Sequence, residues 1–136
     1  MRGLYVDTGI WVAAVDAGDA LHDKARSLLD AHQGWPLYAS ELVLSETVTL
    51  LRRELGPRAS ADFGRAYIEG KIGHLVRCEP EDWVEALKLI ETFAEQKLSF
   101  ADATSFAIIR RLDLERAASP DKHFKIVLAE RQVVSE

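Results

Sequence analysis

Cysteine is nearly absent: Cys78 is the only one in 136 residues. No internal disulfide can form, and none is needed, since a chain of this length buries roughly 68% of its unfolded surface. A lone cysteine fits a reducing compartment, and a cytoplasmic protein is expected. No apolar run approaches the roughly 18–20 residues of a membrane-spanning helix. Nothing before Asp7 resembles a secretory leader, which needs an apolar segment. His22, His32 and His74 show no metal-ligand spacing. Positive charge is in deficit, with 17 Lys and Arg against 22 Asp and Glu and a net charge of −5. That disfavours a protein that coats nucleic acid non-specifically. It leaves room for a local basic groove or a basic protein partner. Repeats, low-complexity tracts and linkers are also missing, so one domain over 1–136 is expected.

What is present is an alternation of strand and helix signals, with an apolar fraction of 48%. Leu4-Tyr5-Val6 is a consecutive apolar run, as in a strand buried on both faces. It stops at Asp7-Thr8, and a first helix follows to about Asp16. Leu21, Ala25, Leu28 and Leu29 form one stripe of a second helix. Leu37-Tyr38-Ala39 is a second strand, and Ser40 caps a helix over Glu41–Leu55 that Gly56-Pro57 stops. Another helix covers Arg58–Glu69, with Ala61, Arg65 and Ile68 at helical spacing. Leu75–Cys78 is a third strand. Pro80 opens a helix whose stripe is Trp83, Leu87, Ile90 and Ala94. Ser99 caps a helix through Ile109 that is apolar nearly all round and should be buried. Arg116–Ser119 is a fourth strand. Phe124–Leu128 or Val133-Val134 supplies the last. The expected fold is a three-layer α/β/α sandwich on a mostly parallel sheet of four to five short strands.

Four acids stand out in this frame. Asp7 and Asp121 follow apolar strands, and Glu46 and Asp102 sit in helices with apolar neighbours. In parallel sheets, sites form at the carboxyl ends of the strands. Each acid has an ordinary reading as well. Ser99-x-x-Asp102 fits a capping box, Glu46 has Arg52 and Arg53 as ion-pair partners, and Asp121 fits a turn or cap. Gathered at one rim, the four would repel each other unless a divalent cation reconciled them. Oxygen ligands without clustered His or Cys favour Mg²⁺ or Mn²⁺ over Zn²⁺.

These segments resemble PIN-domain ribonucleases, and among them VapC-type toxins of toxin–antitoxin pairs. The matching stretches are Leu4–Thr8 with Trp11, Ser40–Glu46, Leu98–Ala103 and Ser119–Phe124, in the family's order over nearly the whole chain. The resemblance implies that Asp7, Glu46, Asp102 and Asp121 bind one or two Mg²⁺ or Mn²⁺ ions and carry catalysis. It implies metal-dependent hydrolysis of RNA, supporting roles for Thr8 and Ser119, homodimerisation, and neutralisation by a cognate antitoxin. Two departures are Gly9, where the family often has Ser, and Ser119, where it often has Thr. Candidate RNA contacts are Arg52, Arg53, Lys122 and His123, with the Arg58/Arg65 helix and Lys125 behind them. Trp11, Trp35 and Trp83 read as core or interface packing.

Two other classes share part of the pattern. A receiver or phosphatase-like phosphoryl-transfer domain also places an Asp after its first strand. The receiver's preceding acid pair is missing at Arg2-Gly3-Leu4, and the phosphatase's second Asp is replaced by Gly9. The same fold also serves RNA processing outside toxin systems, or binding without catalysis.

Overall fold

The structure, a computed structural model, describes residues 2–128 and the backbone of 133–134. The strands are β1 (Leu4–Val6), β2 (Leu37–Ser40), β3 (His74–Val76), β4 (Arg116–Ala118) and β5 (Val133–Val134). They form one sheet in the order β3-β2-β1-β4-β5, and every pairing is parallel. The helices are α1 (Thr8–Val15), α2 (His22–Ala31), α3 (Glu41–Leu55), α4 (Pro57–Ile68), α5 (Pro80–Thr92), α6 (Phe100–Arg111) and α7 (Lys122–Val127). The expected α/β class therefore stands, with β1 at the centre of the sheet.

β1 is fully enclosed: Leu4, Tyr5 and Val6 have no exposed surface. A strand covered on both faces has no polar alternation, which is why the sequence shows none. Its register is Leu4 beside Leu37 on one side and beside Arg116 on the other. One buried polar bond sets how α6 lies over it. The Tyr5 hydroxyl meets Ser105 Oγ at 2.7 Å. Asp7 is two residues along the strand from Tyr5, and Asp102 is one turn before Ser105. Fixing that pair therefore brings both acids to the same end of the sheet.

Three sequence expectations need correction. On α4 the buried residues are Ser60, Phe63, Gly64 and Tyr67, and Ile68 is 68% exposed. Trp11 of α1 decides this: its ring meets Phe63 and Tyr67 edge-on, with centroids 5.7 and 5.6 Å away. On α5 the expected stripe is rotated outward. Trp83 is 48% and Leu87 54% exposed, while Asp82, Ala86 and Leu89 face inward. Asp82 turns in because Arg111 of α6 grips both its oxygens at 2.8 and 2.9 Å. Finally, of the two segments offered for the last strand, Val133-Val134 supplies it and Phe124–Leu128 does not. Phe124, Val127 and Leu128 are buried at helical spacing while Ile126 is exposed, and Phe124 packs on Phe106 at 4.7 Å.

Candidate metal centre

β1 and β4 lie side by side, but β2 and β5 continue the sheet in opposite directions from them. Chain connections leave this point on both sides, so a crevice opens beyond the carboxyl ends of β1 and β4. The amide of Asp7 donates to Ala118 O at 3.0 Å, which extends the ladder by one step. Asp7 thus stands against Ser119. The Ser119 hydroxyl donates to Asp7 Oδ2 at 2.8 Å and accepts from the Asp121 amide at 2.9 Å. One hydroxyl therefore ties the first acid to the loop that carries the last. The sequence expectation for Ser119 as a supporting residue fits this geometry. Thr8 differs: its backbone amide, not its hydroxyl, serves Asp7. The Thr8 hydroxyl is enclosed and has no hydrogen-bond partner.

All four predicted acids line one cleft of about 470 Å³, together with Ser99 of the α6 cap. Among the described residues, no lysine or arginine lines it. Their environments differ more than the sequence implied. Asp7 is buried, Asp102 and Asp121 are half-buried, and Glu46 is exposed on the lip. Asp102 is not held by a capping box. Ser99 Oγ accepts its amide at 3.0 Å, and no return bond to the Ser99 backbone forms. Asp121 is a cap and a cleft residue at once, since its Oδ1 accepts the His123 amide at 2.8 Å. Glu46 makes no ion pair with Arg52 or Arg53 among the described contacts, and both arginines are exposed and outside the lining.

Crowding shows in the titration of the two inner acids. Burial raises the Asp7 carboxyl from 3.8 to about 6, against the opposing pull of the Ser119 and Thr8 hydrogen bonds, with the charges of Glu46 and Asp121 adding to the rise. Asp102 is likewise raised to about 7, by burial first and then by the Asp7 and Asp121 charges. Two partly desolvated acids with raised titration points, in a cleft that no described lysine or arginine lines, make this a candidate functional site.

The donor set fits a hard divalent ion: carboxylate oxygens from four segments, partly desolvated and mutually repelling. The tightest grouping among the described residues is Asp102, Asp121 and His123, whose candidate ligand atoms lie within 4.8 Å of one another. Asp7 and Glu46 share the cleft without joining that set.

The remaining sequence candidates disperse. Arg58 and Arg65 pair with Asp62 on α4, and Arg110 donates to Val127 O. Lys122 is exposed at the start of α7, next to Asp121. Trp11 is core, as expected, at 3% exposure. Two cleft residues were missed. Asp19 lines the rim, with one oxygen engaged by the Leu21 amide at 2.8 Å. It reads as a turn residue in sequence, and nothing local marks it otherwise. Pro120 explains Gly9: a Cβ at position 9 would sit 2.7 Å from Pro120 Cγ. The departure from Ser is therefore a packing requirement of this chain, met where α1 approaches the β4–α7 loop.

A family profile described as PIN domain matches residues 4–128. The chain belongs to the PIN-domain family. It is 36% identical over 124 residues, 89% of this chain and 91% of the relative, to the 23S rRNA-specific endonuclease VapC20 of Mycobacterium tuberculosis. The crystal structure of Mycobacterium tuberculosis VapC20, described as a Sarcin-Ricin loop cleaving toxin, superposes with a TM-score of 0.82. That match has 31% identity and covers 90% of this chain and 93% of that one. A toxin–antitoxin complex from Klebsiella pneumoniae shares the fold at a TM-score of 0.68 and 17% identity, covering 96% and 95% of the two chains. Both structures share the fold described above, and this chain places its four acids along one cleft at the sheet's carboxyl rim. No helix among the described residues is long and apolar enough to cross a membrane.

Proposed function

We propose that this PIN domain is a divalent-metal-dependent endoribonuclease and the toxin of a toxin–antitoxin pair. The observation that carries the reading is the convergence of Asp7, Glu46, Asp102 and Asp121 on one cleft without a protein cation. Asp7 and Asp102, the two acids with raised titration points, are the chief metal ligands. Asp121 binds beside Asp102, and Glu46 completes the centre from the exposed lip. Bound there, Mg²⁺ or Mn²⁺ supplies Lewis acidity toward a phosphodiester. The chain's own task is positioning. Ser119 holds Asp7 and the Asp121 loop in one arrangement. The Tyr5–Ser105 bond holds α6, and with it Asp102, against β1. Glu46 on the exposed lip is placed to meet solvent and substrate. Lys122 beside the cleft is the first candidate to neutralise RNA phosphate, with Arg52 and Arg53 further out.

VapC20 acts on 23S rRNA, so a ribosomal RNA loop is the first substrate to test. Residues 1–136 act as one unit that pairs into a homodimer in the cytoplasm, and an antitoxin covers the cleft. Wild-type protein should cleave ribosomal RNA with Mg²⁺ or Mn²⁺ and fail in EDTA. Asp7→Asn and Asp102→Asn should each lose at least about a hundredfold in rate with the circular dichroism spectrum unchanged. Undiminished cleavage by either variant refutes the assignment. A stable phosphoaspartate at Asp7 would point instead to the phosphoryl-transfer class.

A further inference from the structure

The tightest metal-ready grouping among the described residues contains a nitrogen, from a histidine that adjoins the cleft through Asp121. Ligand atoms of Asp102, Asp121 and His123 lie within 4.8 Å of one another. Nδ1 of His123 is enclosed and has no hydrogen-bond partner among the described residues, although Asp121 Oδ1 is 3.1 Å away. That oxygen is already engaged by the His123 backbone amide at 2.8 Å. The ring nitrogen is thus held close to the carboxylate without the geometry of a bond. An enclosed polar atom left in this state is destabilising. Its place is fixed by the cap itself, because Asp121 is the N-cap of α7 and His123 lies in the first turn.

A cation between these three side chains removes the mismatch. It gives Nδ1 a partner, offsets the Asp102–Asp121 repulsion, and needs no change in the α7 backbone. We propose that His123 is a ligand of the metal centre through Nδ1, beside Asp102 and Asp121, and that this nitrogen makes the centre prefer Mn²⁺ to Mg²⁺. The inference rests on the metal-centre reading given above and deepens it. Mg²⁺ favours oxygen donors and retained waters, whereas imidazole favours first-row transition ions. A rim built from carboxylates alone would discriminate less. The sequence pattern Asp121-Lys122-His123 hides this role, since a histidine two residues after a cap reads as surface.

The competing role for His123 is an ion pair with Asp121, and direct binding separates the two. Mn²⁺ and Mg²⁺ affinities are measured by calorimetry on metal-free wild type, His123→Ala, His123→Asn and Asp102→Asn, with circular dichroism to check folding. The Mn²⁺-loaded proteins are examined by pulsed EPR for nitrogen hyperfine coupling. Wild type should show the coupling and bind Mn²⁺ more tightly than Mg²⁺. His123→Ala should lose the coupling and weaken Mn²⁺ binding on the order of tenfold, with a smaller change for Mg²⁺. His123→Asn places an oxygen near the Nδ1 position, so it should keep binding but lose both the coupling and the preference. Asp102→Asn should weaken both ions. Absent nitrogen coupling in wild type, or an unchanged Mn²⁺-to-Mg²⁺ ratio in His123→Ala, overturns the His123 proposal. Loss of both ions in Asp102→Asn would still leave the metal centre standing in that case. Wild type that binds neither ion, or Asp102→Asn that binds both normally, overturns the centre itself and His123 with it.

Discussion

Two aspartates are buried in different parts of this chain, and only one is satisfied. Asp82, at 2% exposure, sits in the seam between α5 and α6. Arg111 binds both of its oxygens, and Oδ2 also accepts the Glu79 amide to complete a capping box. The Arg111 guanidinium is correspondingly held above its ordinary titration range by that carboxylate. Asp7, at 8% exposure, has a hydroxyl and an amide but no cation, and three further acids share its cleft. Burial alone therefore does not mark a site. An unmet charge does, because its cost must be removed by something the polypeptide does not contain. The amino end of the sheet makes the same point with opposite charge. Arg2 and Arg116 both lie over the Trp35 ring at 4.9 Å, and Arg116 donates to His32 Nε2 at 2.9 Å. His32 Nδ1 in turn donates to Leu28 O. There the guanidiniums rest on an aromatic face and a ring nitrogen, and the contacts read as structure.

The comparison breaks most sharply under one identical substitution. Asp82→Asn leaves the Arg111 guanidinium without its counter-charge and should lower stability by about 3 kcal/mol. Asp7→Asn keeps the Ser119 bond but removes an uncompensated charge, so the metal-free protein at pH 8 should gain about 1–2 kcal/mol. Urea denaturation of both variants checks the signs. Equal losses would mean that Asp7 is paired in solution.

Next in size is the pH dependence. Asp7 and Asp102 titrate at about 6 and about 7 in the fold, against 3.8 for the free side chain. Between those values the folded chain binds protons that the unfolded chain has released. The part of the metal-free protein's stability that these two acids contribute should be full below about pH 4 and be lost as pH rises through 6 to 7. The loss should be about 1–3 kcal/mol, discounted because Asp102 is partly solvated. Saturating divalent metal should flatten the curve. Denaturation midpoints across pH 4–8, with and without metal, measure it.

The smallest effect concerns the wall between the two acidic loops. Gly9→Ala drives a methyl into Pro120 and should cost roughly 1 kcal/mol, with weaker metal binding as the Asp121 loop shifts. Adding Pro120→Ala should restore binding. A double variant no better than Gly9→Ala would show that the contact does not set the loop.

What could be read from sequence was whatever depended on local pattern. The run Leu4–Val6 and the terminating Asp7 announced a central strand and its rim. Ser40 and Ser99 announced two helix starts, and both hydroxyls do accept amides three residues on. What failed depended on partners far along the chain. The inward face of α5 is chosen by Arg111, 29 residues from Asp82. The inward face of α4 is chosen by Trp11. Phe124–Leu128 alternates well enough for a strand, and only Phe106 on α6 decides for a helix. In the cleft, the four acids were legible because each broke an apolar context. Asp19 and the Gly9–Pro120 contact were not, since a turn aspartate and a glycine carry no sign of what faces them.

The central claim is that the cleft's negative charge is resolved by a divalent ion, and melting with and without that ion tests it. Mg²⁺ or Mn²⁺ should raise the Tm of wild type by several degrees and leave the Tm of Asp7→Asn nearly unmoved. An equal rise in both proteins, or no rise in wild type, would contradict the account.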